Sequence, residues 1–239
     1  MYRSILSIII LLSAIHTYSK AQTLAEALSK NDTILAAQLI EKGADPNATD
    51  ANGSSLLMDA CRWGNAEKVR FLLSHGANVR NDALRMIEWL ATQNVELIEQ
   101  PMAKEKITDH TWLTERSPIP IIADESVQRL PDVVKARGAY HGINVKLMKC
   151  TGMREAHKMV LLARALGLKV MMGCMTETSC AISAAAQLVP LIDYADLDGA
   201  LLVNNDPFVG ATIDAGKMII PEKAGIGVSR RFAAALPTG

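Results

Sequence analysis

The chain has no charge of one sign to spare: 25 Lys and Arg balance 25 Asp and Glu. This excludes an electrostatic footprint for nucleic acid and a polybasic patch for a membrane surface. Cysteine is scarce. Cys61, Cys150, Cys174 and Cys180 show neither a CxxC spacing nor a dense framework, which argues against a zinc site or a disulfide scaffold. They read as small buried residues. Long apolar runs are missing too: residues 5–15 are apolar apart from Ser7 and Ser13, too short for the ~20 residues that span a bilayer. With Arg3 before this run and Ser19-Lys20-Ala21 after it, the pattern predicts a secretory signal over residues 1–21, cut after Ala21, and an exported protein with no membrane contact after cleavage. The alternative is an uncleaved N-terminal anchor. What remains is ordinary for a globular protein, 49% apolar and 21% charged over 239 residues, enough for one large domain or two small ones.

Residues 22–81 repeat themselves. Leu39-Ile40-Glu41-Lys42-Gly43-Ala44-Asp45 aligns with Leu72-Leu73-Ser74-His75-Gly76-Ala77-Asn78 at an offset of 33, and Ala27 with Ala60. A 33-residue period is similar to the ankyrin repeat, with Ser55-Leu56-Leu57-Met58-Asp59-Ala60 in place of that family's Thr-Pro-Leu-His-x-Ala. The Pro and His are absent. Asp50-Ala51-Asn52-Gly53 suits a hairpin tip. About two repeats fit, where at least three normally bury a continuous core. The partner of such a module would be a protein. Leu39, Leu72 and Leu73 are expected between its layers.

From Asp82 the period changes. Asp82 is expected to cap a helix running to about Thr92. Short apolar runs then alternate with helical patterns, with strands expected at Val95–Glu99, Ile119–Ala123, Gly142–Leu147, Lys169–Gly173 and Ala195–Val203. This predicts an α/β fold, a partial (β/α) barrel of about five units after the helical repeats. It occupies residues 82–228, and residues 229–239 form a tail. Three of the runs end in charged residues: Glu99, Asp124 and Lys146, spaced 25 and then 22 residues apart. Parallel strands one unit apart present their carboxyl ends on one face, so the two carboxylates and the lysine are expected to converge. Taken singly, Glu99 and Asp124 could be polar strand ends that cap helices.

The wording Ile98-Glu99-Gln100-Pro101, Ala123-Asp124-Glu125-Ser126 and Asn144-Val145-Lys146-Leu147-Met148-Lys149 resembles the enolase superfamily, muconate-lactonizing subgroup. Within it the similarity is greatest to dipeptide epimerases acting on L-Ala-D/L-Glu. The resemblance implies proton transfer at a dipeptide α-carbon, with Mg²⁺ stabilising an ene-diolate. It implies Glu99 and Asp124 as metal ligands and Lys146 as base. Cys174 and Met175 belong to a run resembling the family's seventh-strand motif beside the substrate. Asp196 and Asp198 resemble its Asp-x-Asp pair for the dipeptide ammonium, alternating on one strand face; the other reading is a solvated loop. Lys149 is expected on the face opposite Lys146. The third metal ligand and the second-strand lysine pair have no counterpart. Asp50-Ala51-Asn52 lies 49 residues before Glu99, too far for one unit of ~30. The expected function is a dipeptide-epimerase-like protein, incomplete and weakly active or inactive alone. The rivals are an exported ankyrin-type binding module with an inert half-barrel, and a chimeric chain without activity.

Overall fold

The structure, a computed structural model, describes residues 23–231. The expected secretory signal and most of the expected tail lie outside the described residues. The chain divides into two units between Trp89 and Leu90.

The first unit is helical. Residues 23–29 form α1, followed by α2 (Thr33–Glu41), α3 (Leu56–Arg62) and α4 (Ala66–Ser74); α5 (Val79–Thr92) runs across the division. Each of three starts is fixed by a short polar side chain. Asp32 accepts the Leu35 N–H at 2.9 Å, Ser55 that of Met58 at 3.1 Å and Asn65 that of Lys68 at 3.0 Å, satisfying N–H groups the helix cannot. The pairs α1/α2 and α3/α4 recur at the 33-residue offset. Leu24, Leu28, Leu57 and Leu72 join Ala27, Ala36, Ala44 and Ala60 in one buried cluster. Leu39 packs against it partly buried, whereas Leu73 is 44% exposed and does not lie between layers as expected. Leu72 and Leu73 are adjacent on one helix, about 100° apart, so the turn that buries one exposes the other. Asp82 is not a cap either. α5 starts three residues earlier and Asn78 Oδ1 accepts the Asn81 N–H at 3.2 Å. Asp82 instead accepts bonds from Ser55 at 2.7 Å and Arg85 at 2.8 Å.

The second unit is built on a five-stranded parallel sheet in sequential order, half of a (β/α) barrel. Its elements are β1 (Ile98–Glu99), α6 (Ile107–Thr114), β2 (Ile121–Ala123), α7 (Leu130–Ala136), β3 (Gly142–Lys146), α8 (Leu147–Cys150), α9 (Met153–Ala165), β4 (Lys169–Gly173), α10 (Ser179–Ala186) and β5 (Tyr194–Ala195). Ile121, Ile122, Ile143, Val145, Val170 and Met172 are wholly buried, as sheet strands covered on both faces require. α9 covers the sheet with Ala156, Met159, Val160 and Ala163, at i, i+3, i+4 and i+7. Burying its larger side chains stabilises by about 1.5–3 kcal/mol each. Gly142 leaves room for a neighbour: a Cβ there would lie 2.6 Å from the Lys169 carbonyl oxygen and 2.7 Å from Ile122 Cδ1. β5 is shorter than expected. It stops at Ala195, and residues 199–202 form a 3-10 helix rather than strand. Beyond it, β6 (Phe208–Val209) pairs with β9 (Ser229–Arg230), and β7 (Thr212–Asp214) with β8 (Lys217–Ile219). The β7–β8 turn uses Ala215 and Gly216, both at positive φ, which matches the twist of a tight hairpin.

Candidate active site

Glu99 ends β1, Asp124 follows the last residue of β2, and Lys146 ends β3. The three strands are adjacent and parallel, so the three side chains converge. Lys146 Nζ donates to Asp124 Oδ2 at 2.9 Å and lies 3.7 Å from Glu99 Oε1. Their side chains are 10% (Asp124), 13% (Lys146) and 34% (Glu99) exposed, so the Lys146–Asp124 pair is held largely away from water.

Lys149 corrects the expectation. β3 ends at Lys146 and α8 starts at the next residue, so strand alternation stops there and one helical turn carries Lys149 back over the strand end. Its ammonium donates to Asp124 Oδ1, to the Asp124 carbonyl oxygen at 2.8 Å and to the Asn144 carbonyl oxygen at 3.3 Å. α8 stops sharply at Thr151 (φ +70°) and Gly152 (φ +113°). Two further residues complete the cluster. Asn144, fully buried, donates from Nδ2 to Glu99 Oε1 at 2.5 Å. Gln100 Oε1 accepts the N–H groups of Asp124 at 2.9 Å and Ser126 at 3.0 Å, from a backbone at φ +30°. Asn144 was findable from the sequence, since it precedes Lys146 by two and shares its face. Lys149 required knowing where the strand stops.

The charges settle one another. Burial pushes the Asp124 carboxyl up, but Lys149 and Lys146 outweigh it and hold it below its ordinary value. Burial pushes Lys146 down, yet Asp124 and Glu99 reverse this and its pKa is raised. For Lys149 burial prevails over the Asp124 contact and the pKa is lowered. Both carboxylates thus favour the charged form of Lys146.

Asp196 and Asp198 lie past the end of β5, not within a strand. Both are exposed, and Asp198 starts the 3-10 helix. The Asp196 N–H donates to the Met172 carbonyl at 2.9 Å, and the Gly199 N–H to Cys174 Sγ at 3.3 Å. A side chain at Gly199 would collide with the Met175 carbonyl, so this glycine seats the segment on residues 174–175. Burial pushes the Cys174 thiol up, and the neighbouring charges of Asp196, Glu177 and Asp198 add to it; it is not a thiolate. Met175 is 48% exposed. No hydrogen bond joins this group to the lysine cluster among the described residues. Cavities of about 440 and 420 Å³ border the β1 and β2 loops, sharing Lys104, Glu125 and Gln128, with neither Lys146 nor Asp124 in their walls.

Residues 43–234 match the Enolase C-terminal domain-like family. The chain belongs to that family. The match starts 39 residues before Asp82, where the motif-bearing segment was expected to begin, and so reaches into the helical unit; no strand precedes β1 among the described residues. The L-Ala-D/L-Glu epimerase of Bacteroides thetaiotaomicron is 57% identical over 157 residues, 66% of this chain and 41% of that protein. The L-Ala-D/L-amino acid epimerase of Pedosphaera parvula is 46% identical over 67% of this chain and 48% of its own length. The chain thus spans less than half the length of these relatives. Among solved structures, the dipeptide epimerase of Enterococcus faecalis complexed with Mg and L-Leu-L-Tyr is 30% identical, with a TM-score of 0.60 over 74% of this chain and 54% of that one. The dipeptide epimerase of Cytophaga hutchinsonii complexed with Mg and D-Ala-L-Val has a TM-score of 0.60 at 25% identity, over 75% and 52%.

Those two relatives hold Mg²⁺; the donor set of this chain does not fit it as it stands. Mg²⁺ requires near-octahedral oxygen ligation. Among the described residues no three His, Cys, Asp or Glu side chains converge. Both Asp124 oxygens already accept ammonium groups, and Asn144 engages Glu99.

Proposed function

We propose that this chain carries one half of a dipeptide-epimerase site, of the L-Ala-D/L-Glu type, and that alone it binds Mg²⁺ weakly and does not epimerise. The observation that carries this is the pairing of Lys146 with Asp124 and Glu99. A base must be neutral to take the α-proton of a dipeptide, and two carboxylates keep this amine protonated. Lys146 stands where it could face the substrate carbon from one side, Asp196 and Asp198 are the groups for the dipeptide ammonium, and Cys174 and Met175 border it. No lysine has been identified for the opposite face. The test is incubation of Ala-Glu dipeptides with Mg²⁺ in D₂O, followed by proton NMR and polarimetry. The expected result is no loss of optical rotation. Enzyme-like loss that vanishes in Lys146→Ala would sink the reading.

A second reading is favoured by one observation in the helical unit. Asn47 Nδ2 donates to the Gly76 carbonyl at 3.1 Å, and Asn47 Oδ1 accepts the Asn78 N–H at 2.6 Å. This ties the loops after α2 and α4, as stacked repeats of ankyrin type would be tied. On this reading residues 22–81 bind a protein partner in an exported chain. Cleavage after Ala21, read by N-terminal sequencing of secreted material, is the outcome expected; an intact Met1 would count against export.

A further inference from the structure

The helical unit carries a groove of its own. A cavity of about 290 Å³ opens between α1, α3 and α4, with buried Leu28, Ala60 and Leu72 among the residues that line it. Trp63 lines it too, yet is 80% exposed. The end of α3 puts it there: the Trp63 N–H returns to the Asp59 carbonyl at 3.1 Å, and Gly64 at φ +63° turns the chain toward α4. A tryptophan left in water beside a buried apolar floor marks a surface suited to being covered.

Asp59 and Lys68 are the charged residues of its wall. Asp59 is answered within the unit, since its Oδ1 accepts from Arg62 and from Ser54 Oγ, both at 2.9 Å. Lys68 is not: its ammonium pairs with no carboxylate among the described residues. Asn65 beside it spends Oδ1 on the Lys68 N–H at 3.0 Å and keeps its side-chain N–H groups unspent. The groove therefore presents donors and one uncompensated positive charge next to an apolar floor, and its complement is an anion joined to an apolar group. The volume lies at the small end of ligand cavities, which run from ~300 to ~1,000 Å³, so both groups must come from a single residue. The last residue of a chain offers both when its side chain is large and apolar: the side chain meets the floor and the α-carboxylate meets Lys68 and Asn65. An internal acidic residue beside an apolar one needs room for two residues and for chain leaving at both ends.

We infer that this groove captures the C-terminal residue of a partner protein, one with a large apolar side chain such as leucine. The inference deepens the protein-partner reading of the helical unit and rests on it. Neither the lysine cluster nor dipeptide turnover enters it.

The test is made on the full chain, with a labelled pentapeptide that ends in leucine and a free carboxylate as the probe. Binding is read by fluorescence anisotropy and by the indole N–H signal of Trp63 in ¹⁵N NMR, assigned with Trp63→Phe. The free-acid peptide is expected to saturate the chain below about 5 mM and to shift the Trp63 signal. Amidating its terminus is expected to weaken binding about fivefold, and replacing its leucine by glycine at least about tenfold. Lys68→Met keeps an unbranched stem, and should weaken the acid about fivefold while leaving the amide unchanged. Should Lys68→Met fail to fold, the peptide series on the wild-type chain decides by itself. Equal binding of acid and amide overturns the inference, as do equal binding of the leucine and glycine peptides, saturation without a shift at Trp63, and no saturation at all. An amidated peptide with an internal acidic residue beside leucine is the last arm. If it binds as tightly as the free acid, the inference falls while the protein-partner reading stands. Cleavage after Ala21 and exchange in D₂O are read without any peptide, so the readings they test and this one can fail separately.

Discussion

Gln100 satisfies two backbone N–H groups with one side-chain oxygen while its own backbone sits at positive φ. That region costs a non-glycine residue roughly 1–3 kcal/mol, and the two bonds are what hold it there. Gln100→Ala leaves the Asp124 N–H without its acceptor, and a loss of about 1–3 kcal/mol is expected in chemical denaturation. Gln100→Glu keeps an acceptor in place and is expected to recover part of that loss. Single side chains differ in how far the sequence predicts them. Glu99, Asp124 and Lys146 were legible because each ends an apolar run and unit spacing places strand ends together. Lys149 was not, because alternation was extended through Leu147 when the backbone had already turned helical. Asp82 was misplaced for a related reason: Asn78 offers the same capping chemistry four residues earlier, and nothing in the pattern ranks one above the other.

Among the elements, β3 and β4 meet through an asparagine and a glycine. Asn144 occupies the space in which a Cβ at Gly173 would lie, 2.6 Å from Oδ1. Gly173→Ala is therefore expected to destabilise by about 1–3 kcal/mol through overpacking. The cost should shrink in an Asn144→Ala background, so a double-mutant cycle measured by urea unfolding should give clear coupling. Met159 on α9 is 1% exposed, and Met159→Ala is expected to cost about 2–5 kcal/mol. Strands with a clear apolar run were legible: β4 lies at Lys169–Gly173, where the pattern puts it. β5 was not, because residues 196–203 read apolar and alternating while the Gly199–Cys174 contact closes the chain into a 3-10 turn instead.

For the whole molecule, pH acts through carboxylates. Asp124, Asp132, Asp193 and Asp206 all lie below their ordinary 3.8 once burial, which pushes each up, is outweighed by neighbouring cations and hydrogen bonds. A lowered folded pKa means stability that is complete above the unfolded value and is lost as pH falls through the folded one. Stability should thus fall below about pH 4, and Asp206→Asn, which keeps only one of the two acceptor oxygens used by the Ser179 and Phe208 N–H groups and loses the charge, should lower stability at neutral pH and flatten that acid limb. The helical unit is expected to be marginal by itself. Four of the eight residues in its buried cluster are alanine, and two helix pairs bury little surface. A fragment of residues 23–89 should melt broadly, as followed by circular dichroism. The division into two kinds of structure was legible from the change of period, since 33-residue helical pairs and strand–helix units differ in wavelength. The place of the break was not, because α5 runs through it.

The lysine cluster draws all its members from residues 99–149, three consecutive strands and the turn after them. Its contacts never wait for a distant part of the chain, which keeps the loop-closure cost of each step small. On a ribosome these strands emerge in the order in which they pair, before β4 and β5 have been synthesised. The cluster can thus serve as an early nucleus, with the later strands laid against an edge that is already ordered. Pulse-labelled hydrogen exchange during refolding should find the Ile122, Ile143 and Val145 amides protected ahead of those of β5.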